Sequence, residues 1–175
     1  MRDKLWQMKT NFKHMKNFIY ILFLLLVLTR CDTIDLVEDE NLPVATPVDF
    51  YSTMEMEILQ EINLYRNNKG LPSFEMNKII YNEALKHTEY MIEKGIISHD
   101  NFTDRASRLM KNPGGSSAAE NVAYGYIDAK AVVSGWINSD GHRNNIEGNY
   151  NLTGIAAVSD KNGSYYFTQI FLYKP

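Results

Sequence analysis

Hydrophobic residues beyond residue 50 recur first at helical and later at strand spacing. Apolar residues about three positions apart follow a candidate N-cap at Ser52 or Thr53 and stop before Gly70, which predicts an amphipathic helix of about four turns. A second helix is predicted from about Asn77 to Lys94. Its inner face is Ile80, Ala84, His87 and Met91. We interpret His87 as a packed core histidine with one hydrogen bond rather than as a ligand.

Shorter elements follow, separated by loops that are rich in Gly, Pro, Asn and Ser. The predicted elements are, in order, a loop at 98–102, a short helix from Thr103 or Asp104 to Met110, a loop at 112–117, a turn and strand over 120–126, a helix from Asp128 through Trp136 and a turn at 141–146.

Two strand-like runs near the C-terminal end form the clearest pattern. Gly154–Ser159 and Tyr165–Tyr173 are joined by a loop at 160–163 that ends in Asn-Gly, a pair typical of β-hairpins. Apolar side chains occupy both faces of the second run, so helices must cover the sheet on both sides. The sequence therefore predicts an α+β fold, a three-layer α-β-α sandwich with a small, mainly antiparallel central sheet.

Residues 1–30 have the features of an export signal. They hold six of the 18 Lys and Arg, only one of the 21 acids, and an unbroken apolar run at 18–28. That run of 11 residues is shorter than the roughly 20 that a membrane-spanning helix needs. Because the segment before the run is long, we expect the true start at Met8 or Met15.

The single cysteine, Cys31, directly follows this segment. Leu28-x-x-Cys31 resembles the lipobox of bacterial lipoproteins, although Arg30 stands where a small residue is usual. The resemblance implies a lipid-modified cysteine that holds the protein on a membrane. The alternative is an uncleaved or ordinarily cleaved signal with an incidental thiol. Residues 31–49 carry six acids, no bases and two prolines, which predicts a solvated tether.

Residues 50–175 remain as one domain of ordinary size. Residues 31–175 contain 12 bases and 20 acids, a formal charge of −8. Affinity for a phosphate backbone depends on clustered Lys and Arg, so we expect no nucleic-acid partner. We also expect a monomer.

Three polar stretches carry the candidate chemistry, at 98–102, 119–125 and 136–146. They contain His99, Glu120 and His142, and two imidazoles with one carboxylate suit Zn²⁺ with an open position for water. Such an ion could support hydrolysis. The alternative is that Glu120 accepts hydrogen bonds from the backbone or from the two histidines, so that the cluster braces the layers of the fold.

The order of these motifs resembles the CAP superfamily, which joins cysteine-rich secretory proteins, antigen 5 and plant pathogenesis-related 1 proteins. The resemblance rests on His99, Ala119–Val122, Trp136, Gly141–Ile146, Gly154–Ile155 and Tyr166–Gln169. It covers about residues 54–175, and the chain is similar to the bacterial, cysteine-free branch with its SCP-like extracellular domain. It implies secretion, the sandwich fold and a central groove.

Eukaryotic members line that groove with two histidines and two glutamates that can hold a divalent metal. By motif, His99 and Glu120 match the first histidine and the first glutamate, whereas Ser139 and Tyr166 stand at the other two positions. The resemblance implies that His142 supplies an imidazole from a neighbouring position. The remaining groove residues that it implies are Ser139, Arg143, Tyr166 and Gln169.

Three functions stay open. We expect an exported or envelope-anchored, non-enzymatic protein that binds a lipid, glycan or protein partner in the groove around His99, Glu120 and His142. The second is a metal-assisted hydrolase of an envelope or extracellular polymer, with the same three residues as catalytic candidates. The third is a structural surface module whose polar cluster only stabilises the fold. We favour binding because the resemblance implies it more often than catalysis, and because half of the tetrad is replaced.

Overall fold

The structure is a computed structural model that describes residues 50–175. The predicted signal segment, Cys31 and the acidic tether lie outside the described residues. The elements are α1 (Thr53–Asn68), β1 (Glu75–Met76), α2 (Lys78–Lys94), α3 (Phe102–Lys111), β2 (Ser117–Tyr124), α4 (Ala129–Ile137), α5 (Asp140–Ile146), β3 (Leu152–Ser159) and β4 (Tyr165–Tyr173). Between residues 50 and 175, no helix has the length and apolar character that a membrane span requires.

The four strands form one sheet in the order β1-β3-β4-β2. β3 and β4 pair antiparallel as the predicted hairpin, and β2 pairs antiparallel with the other side of β4. β1 pairs parallel with β3 over two residues. The mainly antiparallel sheet is therefore confirmed. The strand β1 was not predicted because two residues are too few to show a periodic pattern.

Helices cover both faces of this sheet, which confirms the three-layer sandwich. On one face, α2 and α3 pack against the even-numbered side chains of β4, and the buried contacts are Ile80, Ala84, Leu109, Ile170 and Leu172. On the other face, α1, α4 and α5 pack against the odd-numbered ones, and the main contacts are Ile58, Ile62, Trp136, Ile146, Phe167 and Phe171. The fold therefore has two apolar cores separated by the sheet.

Helix starts follow the capping chemistry of the sequence. Ser52 accepts a hydrogen bond from the Glu55 amide, and the Glu55 carboxylate accepts one from the Ser52 amide, so a capping box begins α1. Asn77 and Asp128 cap α2 and α4 through their side chains. The predicted starts of these three helices are confirmed.

The segment predicted as a turn after Asp140 is instead the helix α5. Asn145 donates from Nδ2 to Asn121 Oδ1 at 2.9 Å and to the Glu120 carbonyl at 3.3 Å, so this amide does not compete with its own helix backbone. Trp136 donates from Nε1 to the Val122 carbonyl at 3.3 Å. α4 and α5 thus attach through side chains to β2, which is an edge strand.

Arg66 ties the end of α5 to α1. Its guanidinium is buried and lies 3.7 Å from the centre of the Phe74 ring. Nε donates to the Pro72 carbonyl at 2.7 Å, and Nη1 donates to the carbonyls of Ile146 and Gly148 at 2.6 and 3.1 Å. A cation near the C-terminal end of a helix is favoured by the helix dipole. Arg66 therefore fixes the position of α5 relative to the core.

We predict that Gly154→Ala destabilises the protein. A methyl group at Gly154 in β3 would overlap the α2 backbone at Ile80 and Tyr81. Overpacking of this kind costs about 3 kcal/mol at the upper end of its usual range, so the free energy of unfolding in urea should fall by about that amount.

Gly141→Ala is the matched control for this substitution. Nothing lies within 4 Å of the methyl group added there, and alanine favours a helix more than glycine does. Its free energy of unfolding should stay unchanged or rise slightly. Equal stability of the two variants would contradict the close approach of α2 to β3.

Candidate functional site

The candidate site is built around Glu120, whose side chain is 1 % exposed. Strand alternation places Glu120, Val122 and Tyr124 on the face of β2 that α2 and α3 cover, and Val122 packs there against Met91. A carboxylate buried without a counter-charge is strongly unfavourable. The surrounding elements must therefore supply positive charge and hydrogen-bond donors.

Arg105 on α3 supplies both. Its Nε lies 3.0 Å from Glu120 Oε2 and its Nη2 lies 2.9 Å from Oε1, so the guanidinium and the carboxylate form a two-bond, buried ion pair. Nη1 donates to the Asp100 carbonyl at 2.6 Å. Leu109, one turn further along α3, is buried on the same side of the helix. The pair joins α3, and the loop before it, to β2.

His99 lies in that loop, and its Nδ1 is 2.9 Å from Glu120 Oε1. Because a carboxylate can only accept, Nδ1 donates this hydrogen bond, and in the neutral tautomer that does so Nε2 is an acceptor. The side chain is 52 % exposed. His99 therefore connects the buried ion pair to the surface. Two of the predicted site residues, His99 and Glu120, are in contact.

His87 on α2 is buried, and its Nε2 donates to the Ser98 carbonyl at 2.7 Å. Its ring stacks on Tyr90 with ring centres 5.9 Å apart, and Nε2 lies 3.8 Å from Glu120 Oε1. Burial lowers the pKa of His87, although the charge of Glu120 acts in the opposite direction. The prediction of a packed core histidine with one hydrogen bond is confirmed, and the ring also forms one wall of the Glu120 cluster.

His142 lies beside this cluster rather than inside it. Asn121 holds the backbone of α5 there, since its Nδ2 donates to the His142 carbonyl at 3.1 Å. Burial lowers the pKa of His142, and so does the positive charge that the His99 imidazole carries when it is protonated. The two imidazoles therefore influence each other electrostatically. Among the hydrogen bonds of residues 50–175, none joins His142 to Glu120.

Two predicted groove residues belong to the core. Gln169 is fully buried on the opposite face of the sheet, where its Nε2 donates to Thr153 Oγ1 at 3.2 Å. It does not line a groove, because odd-numbered side chains of β4 point toward α1 and α4. Tyr166 is 6 % exposed, and its ring packs against Tyr124 with centres 4.5 Å apart. Tyr124 itself is 42 % exposed and extends this aromatic pair to the surface.

The other two predicted groove residues lie around the start of α5. Arg143 forms a salt bridge with Asp140 and donates from Nη1 to the Ile137 carbonyl at 2.8 Å. Ser139 precedes the helix without capping it through its side chain. Arg143 is therefore engaged in joining α5 to α4, and a ligand contact by either residue stays a prediction.

Within residues 50–175, no group of three or more His, Cys, Asp or Glu side chains is placed to hold a metal ion. The set predicted from His99, Glu120 and His142 is not assembled, because Arg105 bonds both oxygens of Glu120 and, in the part of the chain that the structure describes, His142 makes no hydrogen bond to that carboxylate. These side chains do not fit a resident Zn²⁺. Sequence reasoning missed Arg105. The signal that could have found it is the need of a carboxylate in a core strand for a buried cation.

Three surface cavities lie away from this cluster. One of about 260 Å³ between α1 and α4 is lined by Leu64, Tyr65 and Val133, among others, and one of about 240 Å³ lies beside Tyr126 and Ile127. The third, of about 330 Å³, is bordered by acidic residues of α1 and by the start of α4. His99, Glu120 and His142 line none of these three.

Comparison with known sequences gives a consistent result. The family model described as the cysteine-rich secretory protein family, CAP, matches residues 59–171. An uncharacterized membrane protein of Bacillus subtilis (strain 168), YlbC, is 33% identical over 124 residues, which is 69% of this chain and 35% of the relative. The chain therefore spans about a third of the length of that relative.

Two solved structures have a similar fold. An outer surface protein from Borrelia burgdorferi superposes with a TM-score of 0.63 at 22% identity, over 71% of this chain and 96% of that protein. An extracellular protein containing an SCP domain from Bacillus anthracis str. Ames superposes with a TM-score of 0.60 at 28% identity, over 69% of this chain and 40% of that one. These similarities agree with the α+β sandwich.

We predict that Glu120→Gln and Arg105→Met each destabilise the protein by about 3–5 kcal/mol, because each leaves the other charge buried without a partner. The double variant should lose less than the sum of the two single losses. Urea denaturation of the four proteins measures the coupling as a double-mutant cycle.

The pair of Glu83 and Arg108, in which only the arginine is exposed, is the matched control. It has the same two-bond geometry, but the Arg108 side chain is 54 % exposed. Glu83→Gln should therefore cost at most about 1 kcal/mol. A loss in Glu120→Gln as small as the loss in Glu83→Gln would contradict the role assigned to burial.

A pH dependence follows from the lowered pKa values of His87 and His142. Below the ordinary value of 6.5, the unfolded chain binds protons that the folded protein does not bind. The free energy of unfolding should thus be highest above about pH 6.5 and fall as the pH drops, by at most about 1.4 kcal/mol per pH unit for each histidine.

Urea denaturation at pH 7.5 and at pH 5.5 measures this dependence. His87→Gln should show a smaller loss between the two values than the parent, and the comparison cancels the contribution of the carboxylates. If the free energy of unfolding fell equally in both proteins, the pH dependence would not come from His87.

Proposed function

Because this chain belongs to the cysteine-rich secretory protein (CAP) family, we propose that it is an exported, non-enzymatic binding protein whose ligand occupies the surface around His99 and Tyr124. Relatives described as an outer surface protein and an extracellular protein support an extracytoplasmic location. Attachment to a membrane through a lipidated Cys31 is part of the same proposal, as is a monomeric state.

One observation carries the proposal: the strong charges at the centre of the site neutralise each other below its surface. Glu120 and Arg105 are both buried, so the ligand meets the half-exposed imidazole of His99 rather than a free carboxylate or guanidinium. A neutral imidazole with a free Nε2 accepts a hydrogen bond from a hydroxyl or amide group. The surface is therefore suited to a polar, uncharged ligand.

An aromatic surface lies further along the same face of β2. Glu120 and Tyr124 share one face of β2 four residues apart, which separates them by about 13 Å at about 3.3 Å per residue. Tyr124 is 42 % exposed and is supported from below by Tyr166. A stacking ring on the same face as a hydrogen-bonding group, but several ångströms along the strand from it, fits an oligomeric glycan, whose sugar rings have an apolar face and a rim of hydroxyls. Among lipid, glycan and protein, we therefore propose a glycan of the cell envelope.

Hydrolysis receives less support from the same residues. A metal-assisted mechanism needs a ligand set, and Arg105 occupies the carboxylate that would complete it. The purely structural module is the second candidate, and the burial of Glu120 with four contacts shorter than 3.1 Å favours it. The two are distinguished by whether a ligand binds.

The test is a binding measurement with the hexamer of N-acetylglucosamine and with insoluble peptidoglycan as probes. We expect saturable binding of at least one probe by the purified protein. Tyr124→Ala and His99→Ala should each weaken it about tenfold, which corresponds to about 1.4 kcal/mol.

Leu64→Ala is the matched control, because Leu64 is 56 % exposed on α1 in the opposite layer. It should bind like the parent. Binding that is absent, or equal in all four proteins, would reject a glycan site here. If Glu120→Gln then lowered stability as predicted, the structural role alone would remain.

A further inference from the structure

We infer that the cavity beside Tyr126 and Ile127 is a second subsite of the proposed glycan surface, and that it holds one N-acetylated sugar unit of the chain that stacks on Tyr124. This inference rests on the proposed function, since it names the sugar that the surface selects. Its support is a set of free hydroxyl groups, two fixed tyrosine rings and one exposed aliphatic side chain around a single cavity.

The cavity begins where β2 ends. Tyr124 is the last residue of β2, and Gly125, which follows it, lines the cavity. Tyr124 lies on the face of the sheet that α2 and α3 cover, whereas Tyr126 packs against the core of the other face. The two tyrosines are at most about 7 Å apart along the chain. A ligand stacked on Tyr124 therefore reaches the cavity by passing over the end of β2, where Gly125 is exposed and has no side chain.

Two tyrosine rings form fixed walls of this cavity. The hydroxyl end of Tyr126 lies against α4 at Gly135, where an added methyl group would overlap it. Tyr165 stacks on Phe167 with ring centres 5.9 Å apart. Both tyrosines are partly buried against the same apolar core. Rings that are already held lose little conformational entropy when a sugar packs against them.

The hairpin loop between β3 and β4 forms the opposite wall and is held by its own hydrogen bonds. Asp160 Oδ1 accepts hydrogen bonds from the amides of Asn162 and Ser164 at 2.8 and 2.9 Å. Where the loop meets β2, the Gly125 amide donates to the Tyr165 carbonyl at 2.9 Å. The cavity therefore has its shape before a ligand binds, which lowers the cost of binding.

The cavity also offers hydroxyl groups with free hydrogen-bonding capacity. No hydrogen bond joins the hydroxyls of Tyr126, Ser164 or Tyr165 to another group of residues 50–175, and each of the three oxygens remains accessible to solvent. Each hydroxyl can donate one hydrogen bond and accept others. Tyrosine rings with free hydroxyls match the apolar face and the hydroxyl rim of a sugar ring.

Ile127 selects a sugar that carries an N-acetyl group. Its side chain is 81 % exposed, more than any other large apolar side chain of residues 50–175. It lines the cavity together with the hydroxyls, so an apolar group and hydrogen-bonding groups meet there. An acetamido group combines a methyl group with an N–H donor and a C=O acceptor. The cavity volume of about 240 Å³ is below the roughly 300–1,000 Å³ of pockets for whole small molecules, so it fits one unit of a chain.

The other two surface cavities lack this combination. In the cavity between α1 and α4, the Tyr65 hydroxyl already donates to Glu147. The cavity at the start of α4 is bordered by Glu57, Glu61 and Asp128, and no aromatic side chain lines it. Only the cavity at the end of β2 therefore joins free hydroxyls to aromatic walls among the three.

The experiment measures, by calorimetry, binding of two neutral hexamers: that of N-acetylglucosamine, and the glucose hexamer of the same linkage, which has a hydroxyl in place of each acetamido group. We expect the parent to bind the acetylated hexamer at least about fivefold more tightly. Ile127→Ser should lose that preference and bind the glucose hexamer like the parent. Tyr165→Phe keeps the ring, loses only the hydroxyl, and should bind the acetylated hexamer about fivefold more weakly.

Ile79→Ser is the matched control, because Ile79 is 37 % exposed in the first turn of α2 and does not line the cavity. It should bind both hexamers like the parent. Ile127→Ser should melt like the parent because the side chain is exposed, so its binding defect cannot come from unfolding. In NMR spectra, the acetylated hexamer should shift the amide signals of Gly125 and Gly163, and leave that of Gly70, beyond α1, unchanged.

The inference is overturned if Ile127→Ser keeps the preference of the parent, or if it weakens binding of both hexamers equally. Unshifted amides of Gly125 and Gly163 overturn it as well. In each of these cases, weaker binding by His99→Ala and Tyr124→Ala still supports the proposed function, so the two can fail separately. If the parent binds neither hexamer, the subsite is rejected, and binding of insoluble peptidoglycan then decides whether the glycan surface stands.

Discussion

The arrangement of this domain depends on the neutralisation of one carboxylate inside the sheet. Glu120 interrupts an otherwise apolar face, and its charge is tolerated only because Arg105 reaches it from α3 with two bonds. A buried pair of this kind contributes little net stability compared with an apolar pair, but each member becomes indispensable once the other is present. The pair therefore acts mainly as a positional constraint. α3 and the loop that carries His99 cannot leave β2 without exposing an unpaired charge to the core.

β2 organises the site because its side chains point into both helical layers and its edge carbonyls accept hydrogen bonds. Glu120 points into the layer of α2 and α3, whereas Asn121 points into the opposite layer and holds the carbonyl of His142. Asn145 on α5 donates hydrogen bonds to the Glu120 carbonyl and to the Asn121 side chain. Arg66 secures the far end of the same helix. The relative positions of His99 and His142 are thus set by one strand, although they belong to opposite layers.

The parts of the fold that depend on local periodicity could be predicted from the sequence. The caps at Ser52 and Asp128 and the hairpin loop with its Asn-Gly pair act within a few residues, so their effect can be inferred without tertiary information. β1 and α5 could not, since β1 exists only because β3 lies beside it, and α5 forms because Asn145 finds its partner on β2 rather than locally.

The site could be predicted in outline only, for a similar reason. Motif order places His99 near Glu120, but Arg105 carries no motif signal, and only the burial of Glu120 shows that a cation is required. Motif position assigns Gln169 to the groove, whereas strand alternation directs it into the core. Positions along a motif do not specify which face of a strand meets solvent.

The way α4 and α5 attach to β2 also limits the backbone groups that this edge offers to another molecule. An uncovered edge strand offers free carbonyl and amide groups that can recruit a strand from another molecule. Here the indole of Trp136 and the amide of Asn145 already occupy the carbonyls of Val122 and Glu120. On the other side of the sheet, β1 pairs with two residues of β3, and the Ala157 amide of β3 donates to Glu55 Oε1 at 3.0 Å. Each edge of the sheet is thereby blocked to strand addition at these backbone groups. Two copies that met through these edges would have to break those side-chain bonds before their sheets could join.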